Sequence, residues 1–487
     1  MISVQVQPSG EAGDQFGLQT APAPGSIPCP GLFYPTAAPD GALLRLRFPG
    51  GLLNARQCRS LASFSERLGA AAVDVTNRAN VQIRGLVATD LPRRLVASSA
   101  QLAADQLAAP LMGVDHLRNI MASPTAGIDP TQLLDTRPLV QALDAYISTE
   151  PRLVGLSPKF SVGWDGGEQV SMAQQPNDLL FRGVEINEQI YLQLDLSEMA
   201  LGCYLIPPSA CIEAVAAIAE LYLGCVDPAL VRKPRLRQVL QAQRPLLQQL
   251  RPYQAARIDL PAILPTYRHL GIHPQRQSGR FYIGVALPLG RLTLEQLRQL
   301  ANLSETYGSG IRLTPWRNLL LPDIAEADLP TVQQQLADLG LSDDPIWGGL
   351  VACSGLTGCL SAATDTQADA AALAAALAQL GQPEPLTIHF SGCPKSCAHR
   401  TSSDLALVGD PEQSTPRYSL YAGLGETFGR LIAADLSPAE LPQKLTNLLV
   451  AYRQSRAADS DSEQSFRDFV SQQPVVQLQA WSSGGIC

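Results

Sequence analysis

One block of about 45 residues recurs in this 487-residue chain, the second copy about 240 residues after the first. The first copy, GALLRLRFPGGLLNARQCRSLASFSERLGAAAVDVTNRANVQIRGL, runs from Gly41 to Leu86, and the second, GRFYIGVALPLGRLTLEQLRQLANLSETYGSGIRLTPWRNLLLPDI, from Gly279 to Ile324. Both read as an apolar strand, a Pro/Gly turn, an amphipathic helix, a second strand, a Thr–Arg-containing loop and a third strand. Leu297, Leu300, Ala301 and Tyr307 keep helical spacing, whereas Val73 and Val75, like Ile311 and Leu313, alternate as strand residues do. Such a unit buries only one sheet face, so the copies are expected to pack together or to cover larger modules. Chance likeness between β-α-β stretches is the competing reading, and the length of the matched order disfavours it.

Four cysteines near the C-terminal end carry the chemistry. Cys353 and Cys359 stand in ACSGLTGC and Cys393 and Cys397 in SGCPKSCAH, a C-x5-C and a C-x3-C pair separated by room for one helix and one strand. Two such pairs on facing loops supply the four thiolates of a cubane iron–sulfur cluster, with Gly355, Gly358, Gly392 and Pro394 turning the backbone tightly around it. Structural thiols, disulfides and zinc are the alternatives. The first suits Cys58, Cys203, Cys211 and Cys225, which sit singly in apolar stretches. Disulfides need an oxidising compartment, and MISVQVQPSG lacks the basic-then-apolar pattern of a signal peptide, so a cytoplasmic enzyme is expected. Zinc knuckles favour shorter spacings.

The length implies two or more domains. No uninterrupted apolar run reaches about 18 residues, so no membrane partner is expected; Glu213 and Glu220 interrupt the stretch that comes nearest. A net charge of −8 without a Lys/Arg-rich block argues against nucleic acid. Residues 1–27, rich in Gly, Pro, Ala and Gln, read as a mobile tail. Between the repeats, strands are expected near Phe160–Val162 and Tyr191–Leu194, a helix from Pro208 to Leu223, and a basic helical stretch VRKPRLRQVL. After the second repeat come a helix over Ala368–Leu380 and the strand LTIHFSGC. The order half-unit, module, half-unit, module suggests a pseudo-twofold enzyme with its site between the halves.

These cysteine pairs, the repeated halves and the phrases TNRANVQIRG and LVGD resemble the sulfite/nitrite reductase superfamily. Within it, CPGLFYPTAAPDGALLRLRFPGG and SGCPKSCAHR look most like the precorrin-3B synthases of cobalamin biosynthesis. The resemblance spans Pro28 to Val470 and implies an α+β fold with a duplicated architecture: two ferredoxin-like half-domains (28–110 and 266–340) and two larger α/β modules (111–265 and 341–487). It implies that Cys353, Cys359, Cys393 and Cys397 bind a [4Fe–4S] cluster, with the thiolate at the Cys397 position bridging to sirohaem in the reductases. Sharing a thiolate couples a cluster electronically to the haem that receives its electrons.

Arg78 in TNRAN, Arg118 in LRNI and Lys159 in SPKF occupy positions that resemble the reductases' anion- and carboxylate-binding residues, and Arg grips a carboxylate bidentately. Asn80, Gln82 and Arg84 alternate after Arg78 and fit the same face, whereas solvated surface charges are the alternative for each cation. Arg317 near Arg78's place in the second repeat reads as a structural copy. In the reductases a second lysine follows two residues after the Lys159 position; here it is Ser161, a departure that disfavours a small-oxyanion reductase. Asp165 in the neighbouring WDGGEQ reads as a turn residue. His399 is a candidate non-haem iron ligand or substrate contact, and His389 a tuning residue beside the cluster. GLGETFGR lacks a full dinucleotide fingerprint. Electrons are therefore expected from a separate donor, ferredoxin or an NAD(P)H-dependent reductase. The basic residues Arg232, Lys233, Arg235 and Arg237 read as a solvated helix face, with donor docking as the alternative.

The expected activity is an Fe–S monooxygenase that hydroxylates precorrin-3A with O2 and closes a γ-lactone. The competing expectations are a sirohaem-dependent sulfite or nitrite reductase and a non-catalytic Fe–S electron-transfer protein.

Overall fold

A computed structural model describes residues 30–485, apart from 197–201, 228, 231, 243–249, 259–268, 382–385, 400–402, 424–427 and 459–463. The tail expected over 1–27 lies outside the described residues.

The two repeats fold alike down to single hydrogen bonds. Each helix, Ala55–Arg67 and Leu294–Tyr307, opens with a capping box, Asn54 with Gln57 and Thr293 with Gln296, in which side chain and backbone satisfy each other's orphan donors. Ahead of each lies a one-turn 3-10 segment, Pro49–Gly51 or Pro288–Gly290, whose middle residue is left-handed: Gly50 at φ 66° and Leu289 at φ 53°. After the helix, the loops Thr76–Asn80 and Thr314–Asn318 match bond for bond. Thr76 N donates to Asn80 O at 2.8 Å and Thr314 N to Asn318 O at 2.9 Å; Phe48 N donates to Asn80 Oδ1 at 2.8 Å and Leu287 N to Asn318 Oδ1 at 3.2 Å.

The copies do more than pack together; they trade strands. One sheet runs Thr36–Ala38, Gly41–Leu46, Val81–Leu86, Ala72–Val75, and is completed by Arg291–Thr293 from the second copy. The other runs Gly271–Pro274, Arg280–Val285, Leu319–Ala325, Ile311–Leu313, and is completed by Leu52–Leu53 from the first. Arg291 pairs with Asp74 and Ile311 with Leu53, each edge covered by the partner copy. The two helices pack face to face, and one apolar core, from Leu44, Leu61 and Ile83 to Val285, Leu300 and Leu321, spans both copies. Gly51 shows how tight this seam is: at φ 71° a Cβ would stand 2.5 Å from the Leu313 carbonyl oxygen.

The modules are likewise two versions of one design. In the first, Ile120–Ala122, Val162–Asp165 and Leu179–Ile186 are parallel neighbours, continued antiparallel by Gln189–Asp195, Cys203–Ile206 and Gln254–Ala255. In the second, Leu350–Ala352, Ile388–Ser391 and Leu405–Gly409 are parallel, continued by Tyr418–Ala422 and Arg430–Leu436. The expected duplicated α+β architecture is therefore present.

The helix expected from Pro208 spans Cys211–Cys225. Pro208–Cys225 is long and apolar enough to cross a membrane by composition, but Cys211, Ala214, Val215, Ile218, Ala219 and Tyr222 pack into the first module's core. In the basic stretch only Leu236–Ala242 is helical, because Pro234 disfavours helix before it. Arg235 bonds Asp178 and Lys233 Nζ bonds the Val154 carbonyl, so that stretch is not a simple solvated helix face.

Candidate functional site at the seam between the halves

The parallel strands of the second module end side by side, with Ala352 opposite Phe390, and the chain after each end carries one cysteine pair. Cys353 N donates to the Phe390 carbonyl at 3.1 Å, and Gly392 N donates to Cys353 Sγ at 3.2 Å. Further along, Ala363 N reaches the Gly392 carbonyl at 2.7 Å and Ala362 N the Cys359 carbonyl at 3.1 Å, so the first loop is stitched to the second. Glycine is required where they touch. A Cβ on Gly392 would lie 2.7 Å from Ala362 Cβ, and one on Gly355, at φ 59°, 2.8 Å from Thr366 N.

All eight described cysteines are free thiols, so the donor set is intact. Cys393 is buried, Cys353 and Cys359 are partly exposed, and Cys397 is exposed. Among the described residues no three His, Cys, Asp or Glu side chains are grouped to hold a single metal ion. Each thiolate of a cubane bonds its own iron at a separate corner, so two cysteine pairs on neighbouring loops can serve one cluster. A backbone N–H on a ligand sulfur is also the kind of contact that sets a cluster's potential. The four cysteines thus fit a [4Fe–4S] cluster.

The first half reaches this loop pair directly. Asn77 Nδ2 donates to the Cys397 carbonyl at 3.4 Å, placing the Thr76–Asn80 loop against the second cysteine pair. Arg84 Nη2 donates to the Gly358 carbonyl at 2.6 Å while Asp40 holds the same guanidinium at 3.0 and 3.1 Å. Arg78, half-buried, bonds Asn177 Oδ1 at 2.8 Å and Met121 Sδ at 3.1 Å. Lys159 is exposed at the end of the preceding loop.

The structure does not gather every expected residue. Asn80 is buried and structural, bonding Phe48 N and Asn119; Gln82 faces Arg45 at 3.0 Å. Arg118 is buried and bonds Asp144 at 2.6 and 3.0 Å, with Asp115 at 3.5 Å. Burial opposes its charge, but the two carboxylates outweigh that and hold its pKa above the ordinary value. Arg118 is engaged inside the first module, which is a support role for the seam.

His399 turns to the opposite side, edge-on to His389 with ring centroids 5.4 Å apart. It lines a cavity of about 20 Å³ with Trp316, Arg317, Thr387 and Ser403. Burial, with His399 and Arg317 adding, pushes His389 down to about 3, so it is a neutral ring.

Arg317 is a structural residue, as the sequence suggested, but its counterpart in the first copy is Ala79: both are left-handed, at φ 65° and 51°. Its guanidinium caps three carbonyls, Val75 at 2.9 Å and Ala352 and Leu289 at 2.6 Å, and so fixes the strand that ends at Cys353. The counterpart of Arg78 is Trp316, stacked on His269 at 4.8 Å. An indole fills in the second half the place that a cation holds in the first.

The first module carries polar residues where the second has cysteines. Ser123 N donates to the Trp164 carbonyl at 3.1 Å, the same bond Cys353 makes with Phe390. Asp165 accepts from Ser123 Oγ at 3.1 Å, from Ser171 Oγ and from Gly167 N, which agrees with its reading as a turn residue. Beside it Glu168 is buried, and burial followed by the Asp165 charge raises its pKa well above the carboxylate range. A carboxyl with a raised folded pKa contributes its full stability below the unfolded value of 4.5 and loses it as pH rises through the folded value. Glu168→Gln is therefore expected to melt at the parent temperature near pH 4 and increasingly above it at higher pH, as a calorimetric pH series would show.

Comparison with known proteins bears on this site. Residues 34–95 and 273–339 match the family model described as "Nitrite/Sulfite reductase ferredoxin-like half domain", and residues 113–243 match "Nitrite and sulphite reductase 4Fe-4S domain". The second match falls on the first module, whose structural twin bears the cysteines. A ferredoxin–nitrite reductase of Synechococcus elongatus is 32% identical over 406 residues, 78% of each chain. One from Leptolyngbya laminosa is 30% identical over 462 residues, 87% of this chain and 88% of that one. The solved structure of the Mycobacterium tuberculosis NirA protein superposes with a TM-score of 0.70 at 23% identity, covering 90% of this chain and 84% of that one, which speaks to the fold.

Proposed function

We propose that this chain, which belongs to the nitrite and sulphite reductase family, is an oxidoreductase that reduces nitrite with electrons from ferredoxin. The expected precorrin-3A monooxygenase using O2 is overturned: relatives from Synechococcus elongatus, Zea mays and Leptolyngbya laminosa that match three-quarters or more of this chain are named ferredoxin–nitrite reductases. The motifs behind that expectation were the opening CPGLFYPTAAPDGALLRLRFPGG and SGCPKSCAHR, two short stretches against a match over three-quarters of the chain. Ferredoxin is likewise preferred to an NAD(P)H-dependent reductase as donor because the relatives are named for it.

One observation carries the reading. Through Asn77 the loop that bears Arg78 touches the carbonyl of Cys397, so a fixed cation and the second thiolate pair share one seam. The four cysteines would hold a [4Fe–4S] cluster, and that cluster together with a sirohaem would supply single electrons and a redox-active iron for the six-electron reduction. The chain's own residues bind and orient the anion. Arg78 supplies a planar donor fork held in place by Asn177 and Met121, and Lys159 an ammonium on a flexible stem that adjusts to the anion. Arg84, braced by Asp40 and bonded to the Gly358 carbonyl, locks the first cysteine loop to the first half.

Charge favours nitrite over sulfite. Ser161, where the reductases' second lysine would stand, is fully buried and bonds Asp178 through its N at 3.1 Å and its Oγ at 3.4 Å. The missing lysine therefore does not weigh against a reductase. It lowers the positive charge at the site, which suits a monoanion better than the doubly charged sulfite.

The test is to reduce the purified holoprotein with dithionite-treated methyl viologen, then with reduced ferredoxin, and to measure nitrite loss against ammonium gain. Equimolar conversion supports the reading. Protein with intact cluster and haem absorbance that leaves nitrite untouched while consuming sulfite overturns it.

A further inference from the structure

Thr366 opens the helix Thr366–Gln379, and its side chain is enclosed against the first cysteine loop. Its Oγ1 donates to the Cys353 carbonyl at 2.8 Å and stands 3.6 Å from Cys353 Sγ, within hydrogen-bond reach of an atom as large as sulfur. Gly392 N reaches the same sulfur from the second loop at 3.2 Å. Thr366 is fully buried, and the branch at its Cβ leaves the hydroxyl few rotamers. The chain on either side is pinned: Leu356 N donates to the Thr364 carbonyl at 2.9 Å, and Asp365 caps the helix by accepting from Ala368 N at 3.3 Å. A Cβ on Gly355, at φ 59°, would stand 2.9 Å from Thr366 Oγ1, so the loop closes directly over the hydroxyl.

Cluster binding changes what this hydroxyl meets. In the free thiol the S–H is a weak donor that can point at Thr366 Oγ1 while the Thr366 O–H points at the carbonyl. A ligating thiolate has lost that proton and only accepts. An oxygen lone pair turned towards it would repel, whereas the hydroxyl proton rotates about the C–O bond and can be shared between sulfur and carbonyl. One-electron reduction places more negative charge on the cluster and its ligand sulfurs, so a donor aimed at such a sulfur stabilises the reduced state over the oxidised one. Other groups also face Cys353. The Arg317 guanidinium is close enough for the two charges to act on one another, and so is Tyr418, whose hydroxyl donates to Asp369 at 2.7 Å. Both stay in place in every Thr366 variant, so a change there reads the threonine side chain.

We propose that Thr366 is a positioning residue for electron entry: with the Gly392 N–H it holds the Cys353 sulfur between two donors and so raises the potential at which the cluster accepts an electron from ferredoxin. The proposal rests on the reading of the four cysteines as cluster ligands and not on which anion is reduced. In the step concerned ferredoxin is oxidised and the cluster reduced by one electron. No bond forms or breaks, and the hydroxyl proton stays on Thr366.

The experiment titrates holoprotein of the parent, Thr366→Val, Thr366→Ser and Thr366→Ala with dithionite through redox mediators, reading the reduced cluster by EPR once iron and sulfide have been counted. Thr366→Val fills the same space without a donor. It is expected to keep its iron and sulfide while the ratio of reduced to oxidised cluster at a fixed poise falls about tenfold, a downward shift of about 59 mV for one electron. Thr366→Ser keeps the hydroxyl and should stay within about threefold of the parent. A fully loaded Thr366→Val that titrates with the parent overturns the proposal. So does Thr366→Ser displaced as far as Thr366→Val, since the lost methyl group would then be the cause. Should Thr366→Val fail to assemble a cluster, Thr366→Ala carries the same comparison. The parent alone gives a further check: its reduced cluster is expected to couple to an exchangeable hydroxyl proton besides that of the Gly392 N–H, seen by ENDOR in H2O against D2O, and a single exchangeable coupling overturns the idea. A parent without any cluster signal removes the cysteine reading and the proposal with it. A shifted potential in a protein that leaves nitrite untouched supports the proposal and overturns only the choice of substrate.

Discussion

A Cys353→Ser chain is expected to retain almost none of the roughly four cluster irons and four acid-labile sulfides of the parent and no measurable nitrite reduction. Serine offers a hard hydroxyl oxygen that stays protonated near neutral pH, whereas the thiolate is the soft ligand iron–sulfur chemistry requires. Cys353 is held on both sides, its sulfur receiving the Gly392 N–H and its N–H bonded to the Phe390 carbonyl. The loss should therefore not be repaired by a neighbouring ligand. Cys58→Ser is the control. That thiol is fully buried in the shared core of the two half-domains, and burial pushes it up to about 12, so it stays a neutral thiol. It should cost stability and leave iron unchanged. Equal iron and sulfide in Cys353→Ser and parent would remove the cluster from these cysteines.

Arg78→Ala is expected to lower nitrite turnover about 10²- to 10³-fold, as loss of one preorganised donor to developing charge does. Arg78→Lys should recover little of this, since a lysine cannot present the planar fork that Asn177 and Met121 hold in place. The informative contrast is Arg118→Ala. Arg118 is buried between Asp144 and Asp115, so its removal strands two carboxylates and should cost about 3–5 kcal/mol of stability, with activity falling only as folded protein is lost. Melting curves beside steady-state rates separate the two outcomes. A stable Arg118→Ala protein as inactive as Arg78→Ala would assign both arginines to the anion.

Much of the framework was legible because repeated local chemistry is written in plain residues. The capping residues Asn54 and Thr293, the Pro–Gly turns and the alternating strands follow from short-range rules, and the cysteine spacings point to a cluster. What escaped is long-range. No local pattern shows that Leu52–Leu53 and Arg291–Thr293 change places, because a strand of two or three residues has no periodicity of its own. Nor does a sequence reveal that Arg118 has found Asp144, that His399 faces His389, or that an asparagine in an unremarkable PND turn holds Arg78. The choice between reductase and oxygenase was illegible for a different reason. Both use the same thiolate framework, and Ser161 was weighed against any small-oxyanion reductase when one cation fewer is compatible with a monoanion.

The traded strands also set a timetable for the growing chain. On the ribosome the first sheet waits for its last strand, since Asp74 and its partner Arg291 are 217 residues apart in the polypeptide. Until then the edge Ala72–Val75 stands open, and a nascent chain with an unpaired apolar edge invites pairing with other chains. A shortened chain ending before Arg291 inherits that open edge permanently, so each half of this duplicated enzyme depends on the other to leave the ribosome as a soluble body.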